Sequence, residues 1–136
     1  MSRIMQEIKL DAKGLIPAIV QDHKNGQILM FAYLNKEAIQ KTLATGLMHY
    51  FSRSRKKLWL KGEESGHHQV VHDVYLDCDA DCLLFTVDQT KAACHAGYRS
   101  CFFRKVNGSE WQIVLKKIFD PQQVYIKRSG IVKKRL

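Results

Sequence analysis

Residues 15–46 read LIPAIVQDHKNGQILMFAYLNKEAIQKTLATG, a stretch that predicts a β-hairpin followed by a helix. The short apolar segments 15–20 and 28–33 are separated by a polar connection that contains Asn25 and Gly26. The Asn-Gly dipeptide is typical of a tight hairpin turn, because both residues tolerate the positive φ angles that such turns require. We therefore expect two antiparallel strands in this part of the chain.

A helix should follow the second strand, over residues 36–45. Asn35 is suited to cap its first turn, because its side chain can accept a hydrogen bond from a free backbone N–H. Gly46 should end the helix, because glycine adopts the left-handed backbone conformation without strain. The apolar residues on one face of this helix are Ala38, Ile39 and Leu43.

Further strands are predicted by apolar segments in the remainder of the chain. They lie at 47–52, 69–76 and 82–87, and the last is almost continuously apolar, as in a buried strand. Asp120 and Pro121 are suited to begin a short C-terminal helix, because proline fits the first helical turn. The predicted fold class is therefore α+β: rich in β-strands, with one main helix.

Length and composition favour one globular domain in a reducing compartment. The chain has 136 residues, of which 46% are hydrophobic, which suits a single core and excludes a disordered chain. No apolar run approaches the roughly 20 residues of a membrane-spanning helix, and the N-terminus lacks the apolar stretch of a signal peptide. We therefore expect a cytoplasmic protein whose four cysteines are thiols or metal ligands rather than disulfides.

The net charge of +9 is unevenly distributed along the chain. Residues 1–103 carry 13 basic and 11 acidic residues, whereas residues 104–136 carry 9 basic and 2 acidic ones. Within the nearly balanced body, a basic cluster at 53–57 contrasts with an acidic one at 77–81. This pattern favours a small phosphorylated substrate with a bound cation, while the basic tail keeps nucleic-acid binding open as the competing function.

Three carboxylates recur at every second position, at Asp77, Asp79 and Asp81. In an extended chain such residues point to one side, where a hard cation such as magnesium would offset their mutual repulsion. A solvated acidic turn is the alternative interpretation. An EF-hand calcium loop is excluded, because Cys82 occupies the position that requires glycine.

The spacing of the four cysteines does not match zinc ribbons or two-Cys, two-His fingers. Spacing alone leaves two interpretations open for Cys78, Cys94 and Cys101: a zinc site, or plain buried thiols. Cys78 would point away from the neighbouring carboxylates, where it could serve a softer metal. Cys82 begins an apolar run, so we assign it to the core.

Two polar segments are candidates for contacts with a ligand, and the first of them suits phosphate groups. Residues 52–57 read SRSRKK, which offers guanidinium forks and hydroxyls, although a solvated turn has the same composition. Residues 61–68 read KGEESGHH, and this loop either carries ligand contacts or is an ordinary exposed loop.

Five short segments become informative when they are taken together. In chain order they are FAYLN at 31–35, HYFSRSR at 49–55, LW with KGE and SG within 58–66, DCDAD at 77–81, and CH through CF at 94–102. Their order and spacing resemble those of the phosphoribosyl-AMP cyclohydrolase family. Members of that family open the adenine ring of N1-(5-phosphoribosyl)-AMP in histidine biosynthesis.

The resemblance implies a folded, mixed, pseudobarrel-like β-sheet in an intertwined homodimer with two shared active sites. It implies one zinc ion per subunit, held by Cys94 and Cys101 of one subunit and Cys78 of the other. It implies a cyclohydrolase domain over residues 1–106, and it leaves residues 107–136 as a basic extension of unknown role. The magnesium ligands that it implies, for one ion per subunit, are Asp77, Asp79 and Asp81.

For the reaction, we expect a water activated by zinc to attack C6 of the purine, after which the N1–C6 bond breaks. His95, beside Cys94, is the first candidate for the general base, and His67 is the second. The residues expected to bind substrate are Ser52, Arg53, Ser54, Arg55, Lys61, Ser65 and Arg99. A zinc nucleoside deaminase is excluded, because its His-x-Glu and Pro-Cys-x-x-Cys signatures are missing.

Overall fold

The structure, a computed structural model, describes residues 2–122. Its elements in chain order are α1 (Ser2–Glu7), β1 (Leu15–Asp22), β2 (Ile28–Asn35), α2 (Lys36–Thr45), β3 (His49–Ser52), β4 (Lys57–Leu60), β5 (Gln69–Leu76), β6 (Leu83–Gln89), β7 (Arg104–Asn107) and β8 (Glu110–Ile113). This strand-rich combination of helices and strands confirms the α+β class. Neither of the two described helices is long and apolar enough to cross a membrane.

The predicted hairpin and helix both form. β1 pairs antiparallel with β2, and Gly26 in the connecting turn has a φ of 75°. The side chain of Asn35 caps α2 by accepting a hydrogen bond from the backbone N–H of Ala38 at 2.9 Å. Gly46 ends the helix with a φ of 77°. The helix therefore has its predicted bounds.

The main sheet is mixed and has the strand order β2-β1-β6-β5. β1 runs parallel to β6, whereas the other two pairs are antiparallel. In the described part of the chain this sheet is open, with β2 and β5 at its edges, and it does not close into a barrel. The buried core between the sheet and α2 includes Ile16, Leu34, Ile39, Tyr50 and Phe85.

Several elements differ from the sequence prediction. The strand predicted at 47–52 begins at His49, and the one predicted at 82–87 begins at Leu83 and ends at Gln89. α1, β4 and the β7–β8 hairpin were not predicted, because they are short and lack a clear apolar period. Pro121 and Gln122 are helical, and the rest of the predicted C-terminal helix lies outside the described residues.

Candidate active site

A cavity of about 780 Å³ lies beside β2, the β3–β4 hairpin and the loop that follows β4. Its cationic lining residues are Arg53, Arg55, Lys57 and Lys61. Its aromatic lining residues are Phe31, Tyr33, Phe51 and Trp59. The predicted site residues that line it are Ser52, Arg53, Arg55, Lys61, Ser65 and His95. The tertiary structure therefore brings most of the predicted substrate residues and the first candidate base to one cavity.

The turn between β3 and β4 presents the basic cluster to this cavity. Ser52 ends β3, and its Oγ accepts a hydrogen bond from the backbone N–H of Arg55 at 3.2 Å. The guanidinium of Arg53 lies 4.1 Å from the ring centroid of Tyr33, a cation–π contact with β2. Ser54 is exposed and lies 3.4 Å from Ser52 between the two hydroxyl oxygens, but it does not line the cavity.

Lys61 connects the cavity to the cysteine-containing loop. Its Nζ donates a hydrogen bond of 2.5 Å to the carbonyl oxygen of Ala93. Burial lowers the pKa of Lys61, while the nearby thiols of Cys101 and Cys94 act in the opposite direction. The ammonium group is therefore held close to both thiols and, at the same time, lines the cavity.

Cys94 and Cys101 form a pair of neighbouring thiols at this side of the molecule. Cys94 is buried and Cys101 is half-buried. Burial raises the pKa of Cys101 to about 12, and Cys94 adds to the increase by its charge and its hydrogen bond. The backbone N–H of Cys101 donates to the carbonyl of Leu29 at 2.7 Å, which ties the loop to β2. Two thiols that interact with each other in this way suit a soft metal ion.

The predicted carboxylate cluster exists, but a turn forms it. One ligand atom from each of Asp77, Asp79 and Asp81 lies within 4.8 Å of the others. The Oδ1 of Asp77 accepts the backbone N–H groups of Asp81 and Cys82 at 3.0 Å each, and Ala80 has a φ of 66°. The expected extended conformation is therefore wrong, since the chain folds back on itself between β5 and β6.

Hydrogen bonding sets the protonation of this exposed trio. The hydrogen bond between Asp79 and Asp81 lowers the pKa of Asp79 and raises the pKa of Asp81. Three carboxylates this close repel one another, and a bound cation would relieve that repulsion. Their arrangement thus fits a hard divalent ion such as magnesium.

Cys78 lies in the same turn and is exposed. Among residues 2–122, the three aspartates are the one group of three or more metal-ligating side chains whose atoms lie within 4.8 Å of one another. Within one chain, therefore, Cys78 does not join Cys94 and Cys101 in a three-thiol site. Cys82, assigned to the core from the sequence, is half-buried at the start of the buried strand β6.

Two further predicted residues lie outside the cavity lining. The guanidinium of Arg99 binds the carboxylate of Asp22 and donates to the backbone carbonyls of Gln89 and Lys91 at 2.9 and 2.6 Å. His67 is buried, and its ring meets the ring of Phe119 edge to face at 4.8 Å. Arg99 and His67 therefore contact other residues of the protein and do not line the cavity.

Among the lining residues that the sequence did not assign to the site are Tyr33, Trp59, Pro121 and Gln122. Tyr33 and Trp59 belong to segments that carried the family resemblance, but nothing in their local pattern separated ligand-facing aromatics from core aromatics. Pro121 and Gln122 follow the β7–β8 hairpin, and only the tertiary structure brings them to the cavity.

Comparison with known proteins agrees with the family resemblance of the sequence motifs. A family model described as phosphoribosyl-AMP cyclohydrolase matches residues 30–103. A phosphoribosyl-AMP cyclohydrolase of Methanococcoides burtonii is 51% identical over 121 residues, which are 89% of this chain and 98% of that protein. A second, of Methanospirillum hungatei, is 54% identical over 123 residues, 90% of this chain and 92% of the relative.

A longer relative is the histidine biosynthesis bifunctional protein HisIE of Thermoanaerobacter pseudethanolicus. It is 53% identical over 125 residues, which are 92% of this chain. The chain spans only 58% of the length of that relative. Since this match omits just 11 of the 136 residues, the similarity extends past residue 106.

Proposed function

The chain belongs to the phosphoribosyl-AMP cyclohydrolase family, and we propose that it opens the adenine ring of N1-(5-phosphoribosyl)-AMP in histidine biosynthesis. Water would add at C6, the N1–C6 bond would break, and a carboxamide and a formamidine would remain. The observation that carries the proposal is a cavity that joins cationic and aromatic side chains to His95. A nucleotide with two phosphoribosyl groups requires this combination.

The cavity lining matches the two chemical parts of such a substrate. Arg53, Arg55 and Lys57 offer positive charge and hydrogen-bond donors to phosphate oxygens. The rings of Tyr33 and Trp59 offer apolar faces to the purine. Because Arg53 also stacks on Tyr33, the phosphate-binding and base-binding surfaces meet at one point of the cavity.

Zinc at the thiol pair would supply a Lewis acid that lowers the pKa of a coordinated water. Cys94 and Cys101 fit this ion, because they are adjacent and because metal binding favours the thiolates that burial disfavours. The ammonium of Lys61 offsets part of the negative charge of those thiolates. His95 is exposed and lines the cavity, so it is the residue best placed to accept a proton. His67 remains the second candidate.

The third zinc ligand would come from a second copy of the chain. Cys78 follows β5, an edge strand whose outer side is hydrogen-bonded to residues 46–48 at Gln69 and Val71 but makes no such bonds over Val74–Leu76 in the described residues. Val74, Tyr75 and Leu76 on this strand are 39, 53 and 38% exposed. An exposed apolar edge strand is normally covered by another surface. We infer a homodimer that covers β5 and brings Cys78 of one subunit to the thiol pair of the other.

Magnesium is proposed for the turn that holds Asp77, Asp79 and Asp81. The turn is supported from the N-terminal segment, where the backbone N–H of Lys9 donates to the carbonyl of Ala80 at 2.8 Å. The three carboxylates do not line the cavity of their own chain, so an ion held there would offset the carboxylate charge beside Cys78 and would meet substrate only across the proposed dimer interface.

The test incubates the purified protein with phosphoribosyl-AMP and follows ring opening by the change in ultraviolet absorbance. We expect turnover that a chelator abolishes and added zinc with magnesium restores. No turnover by the metal-loaded protein would refute the proposed activity. Cys94→Ser is expected to lose zinc, with Cys82→Ser as the matched control that keeps it.

Shared zinc ligation has its own test. Neither Cys78→Ala nor Cys94→Ala homodimers should be active, whereas mixed dimers of the two should contain one intact site and recover activity. Verified heterodimers that remain inactive would count against ligation across the interface.

A further inference from the structure

The segment that follows β8 returns to the candidate active site. We call residues 114–122 the C-terminal strap. The backbone N–H of Val114 donates to the carbonyl of Phe103 at 2.8 Å, and that of Ile118 donates to the carbonyl of Gly97 at 2.8 Å. Gly97 belongs to the loop between Cys94 and Cys101, so the strap is hydrogen-bonded directly to the loop that carries the thiol pair.

The strap lies so close to this loop that a side chain would not fit between them. A Cβ atom built on Gly97 would lie 2.7 Å from the carbonyl oxygen of Phe119, and the φ of Gly97 is 104°. Both observations require glycine at this position. The ring of the same residue, Phe119, packs edge to face on the ring of His67 at 4.8 Å. The strap therefore contacts both loops that carry the candidate bases.

The end of the strap lines the cavity itself. Pro121 and Gln122 lie among the lining residues, together with Ser65 and His95. The carboxylate of Asp120 accepts the backbone N–H of Gln122 at 3.0 Å, which fixes the direction of the chain where it reaches the cavity. This segment lies outside residues 30–103, which the family model matches, yet within the similarity to the bifunctional relative.

We propose that the C-terminal strap is a wall of the substrate cavity, that Gln122 binds substrate, and that Phe119 is a positioning residue. The inference rests on the proposed function for the identity of the substrate. A carboxamide both donates and accepts hydrogen bonds, which suits the ring nitrogens and hydroxyls of a nucleotide. Because the arginines supply the charge for phosphates, the uncharged Gln122, which lines the same cavity as His95, is suited to the base or its ribose. Phe119 holds the strap against the His67 loop.

Steady-state kinetics with phosphoribosyl-AMP test the role of Gln122. Gln122→Ala should raise KM about five-fold with kcat nearly unchanged, as expected for one lost hydrogen bond made equally in the ground and transition states. Lys116→Ala is the matched control, since Lys116 is an exposed strap residue that does not line the cavity. A KM for Gln122→Ala equal to that of the control would overturn the assignment.

Fluorescence quenching tests the strap without reference to catalysis. Trp59 lines the cavity, whereas Trp111 is 70% exposed on the β7–β8 hairpin, so a Trp111→Phe background isolates Trp59. In this background Phe119→Ala should raise the acrylamide quenching constant of Trp59, and Phe119→Leu should restore most of the protection. Unchanged quenching would overturn the positioning role. If wild-type protein fails to turn over phosphoribosyl-AMP, the proposed function falls, but this comparison still decides the strap.

Discussion

Replacing Arg99 by methionine should destabilise the protein while leaving the substrate cavity intact. The Arg99 guanidinium joins three parts of the chain, because it binds the carboxylate of Asp22 at the end of β1 and the backbone carbonyls of Gln89 and Lys91. Methionine keeps most of the apolar volume of the side chain but removes every donor. The carboxylate of Asp22, whose side chain is only 3% exposed, would lose its charged partner.

The expected loss of stability depends on how deeply the Arg99–Asp22 ion pair is buried. Breaking a fully buried ion pair costs about 3–5 kcal/mol, because one charge stays buried without a partner. Here the Arg99 side chain is 30% exposed, and Asp22 keeps hydrogen bonds from the backbone N–H groups of Lys24 at 2.8 Å and Asn25 at 3.4 Å. We therefore expect the free energy of unfolding to fall by about 2–3 kcal/mol.

The stabilisation by the Arg99–Asp22 ion pair should depend on pH. Burial raises the pKa of Asp22, but the hydrogen bonds from Arg99, Lys24 and Asn25 together lower it below its ordinary value of 3.8. In the wild type, the stabilisation from Asp22 is thus present above pH 3.8 and is lost as the pH falls through the lowered pKa. Without Arg99, burial dominates and the pKa rises, so the variant gains stability relative to the wild type as the pH falls.

Urea unfolding at pH 7 and near pH 4, together with kinetics on phosphoribosyl-AMP, would check this reasoning. Arg55→Met is the contrasting variant, since Arg55 is exposed and lines the cavity. We expect it to raise KM with little change in stability, and Arg99→Met to do the opposite. If Arg99→Met raised KM while unfolding at the wild-type urea concentration, Arg99 would be a substrate residue and the structural assignment would be wrong.

Three further outcomes can be measured on the same protein. Asn35→Ala should lower the free energy of unfolding by about 1 kcal/mol, because the cap of α2 is lost; an unchanged urea midpoint would contradict this. Tyr50→Phe should lower the free energy of unfolding by about 1–3 kcal/mol, because it removes the donor to the buried Oε1 of Gln69. Equal stability would mean that water replaces the hydroxyl. In metal-free protein at pH 8, Cys101, whose pKa is about 12, should be alkylated much more slowly than a free thiol such as N-acetylcysteine; similar rates, followed by peptide mass spectrometry, would refute the burial argument.

Local patterns predicted the elements whose formation depends on neighbouring residues. The hairpin formed around a loop that contains Asn25 and Gly26, in which only Gly26 has a positive φ, and the capped helix between Asn35 and Gly46 formed within its predicted bounds, because turn and cap energies act over a few residues. The β7–β8 hairpin was missed, since the side chains of both strands are exposed and show no apolar alternation. The parallel pairing of β1 with β6 was likewise inaccessible, because it joins residues more than 60 positions apart.

The sequence by itself determined the family, the α+β class and the donor atoms that each candidate site residue offers, because residue identity sets the chemistry of a side chain. The tertiary structure decided which of these residues meet. It placed Arg53, Lys61 and His95 on one cavity, turned Arg99 toward Asp22, and brought Gln122 from the basic extension to the same cavity. Such contacts depend on how sheet, loop and strap pack in space, and that packing is set by the whole core rather than by any local pattern.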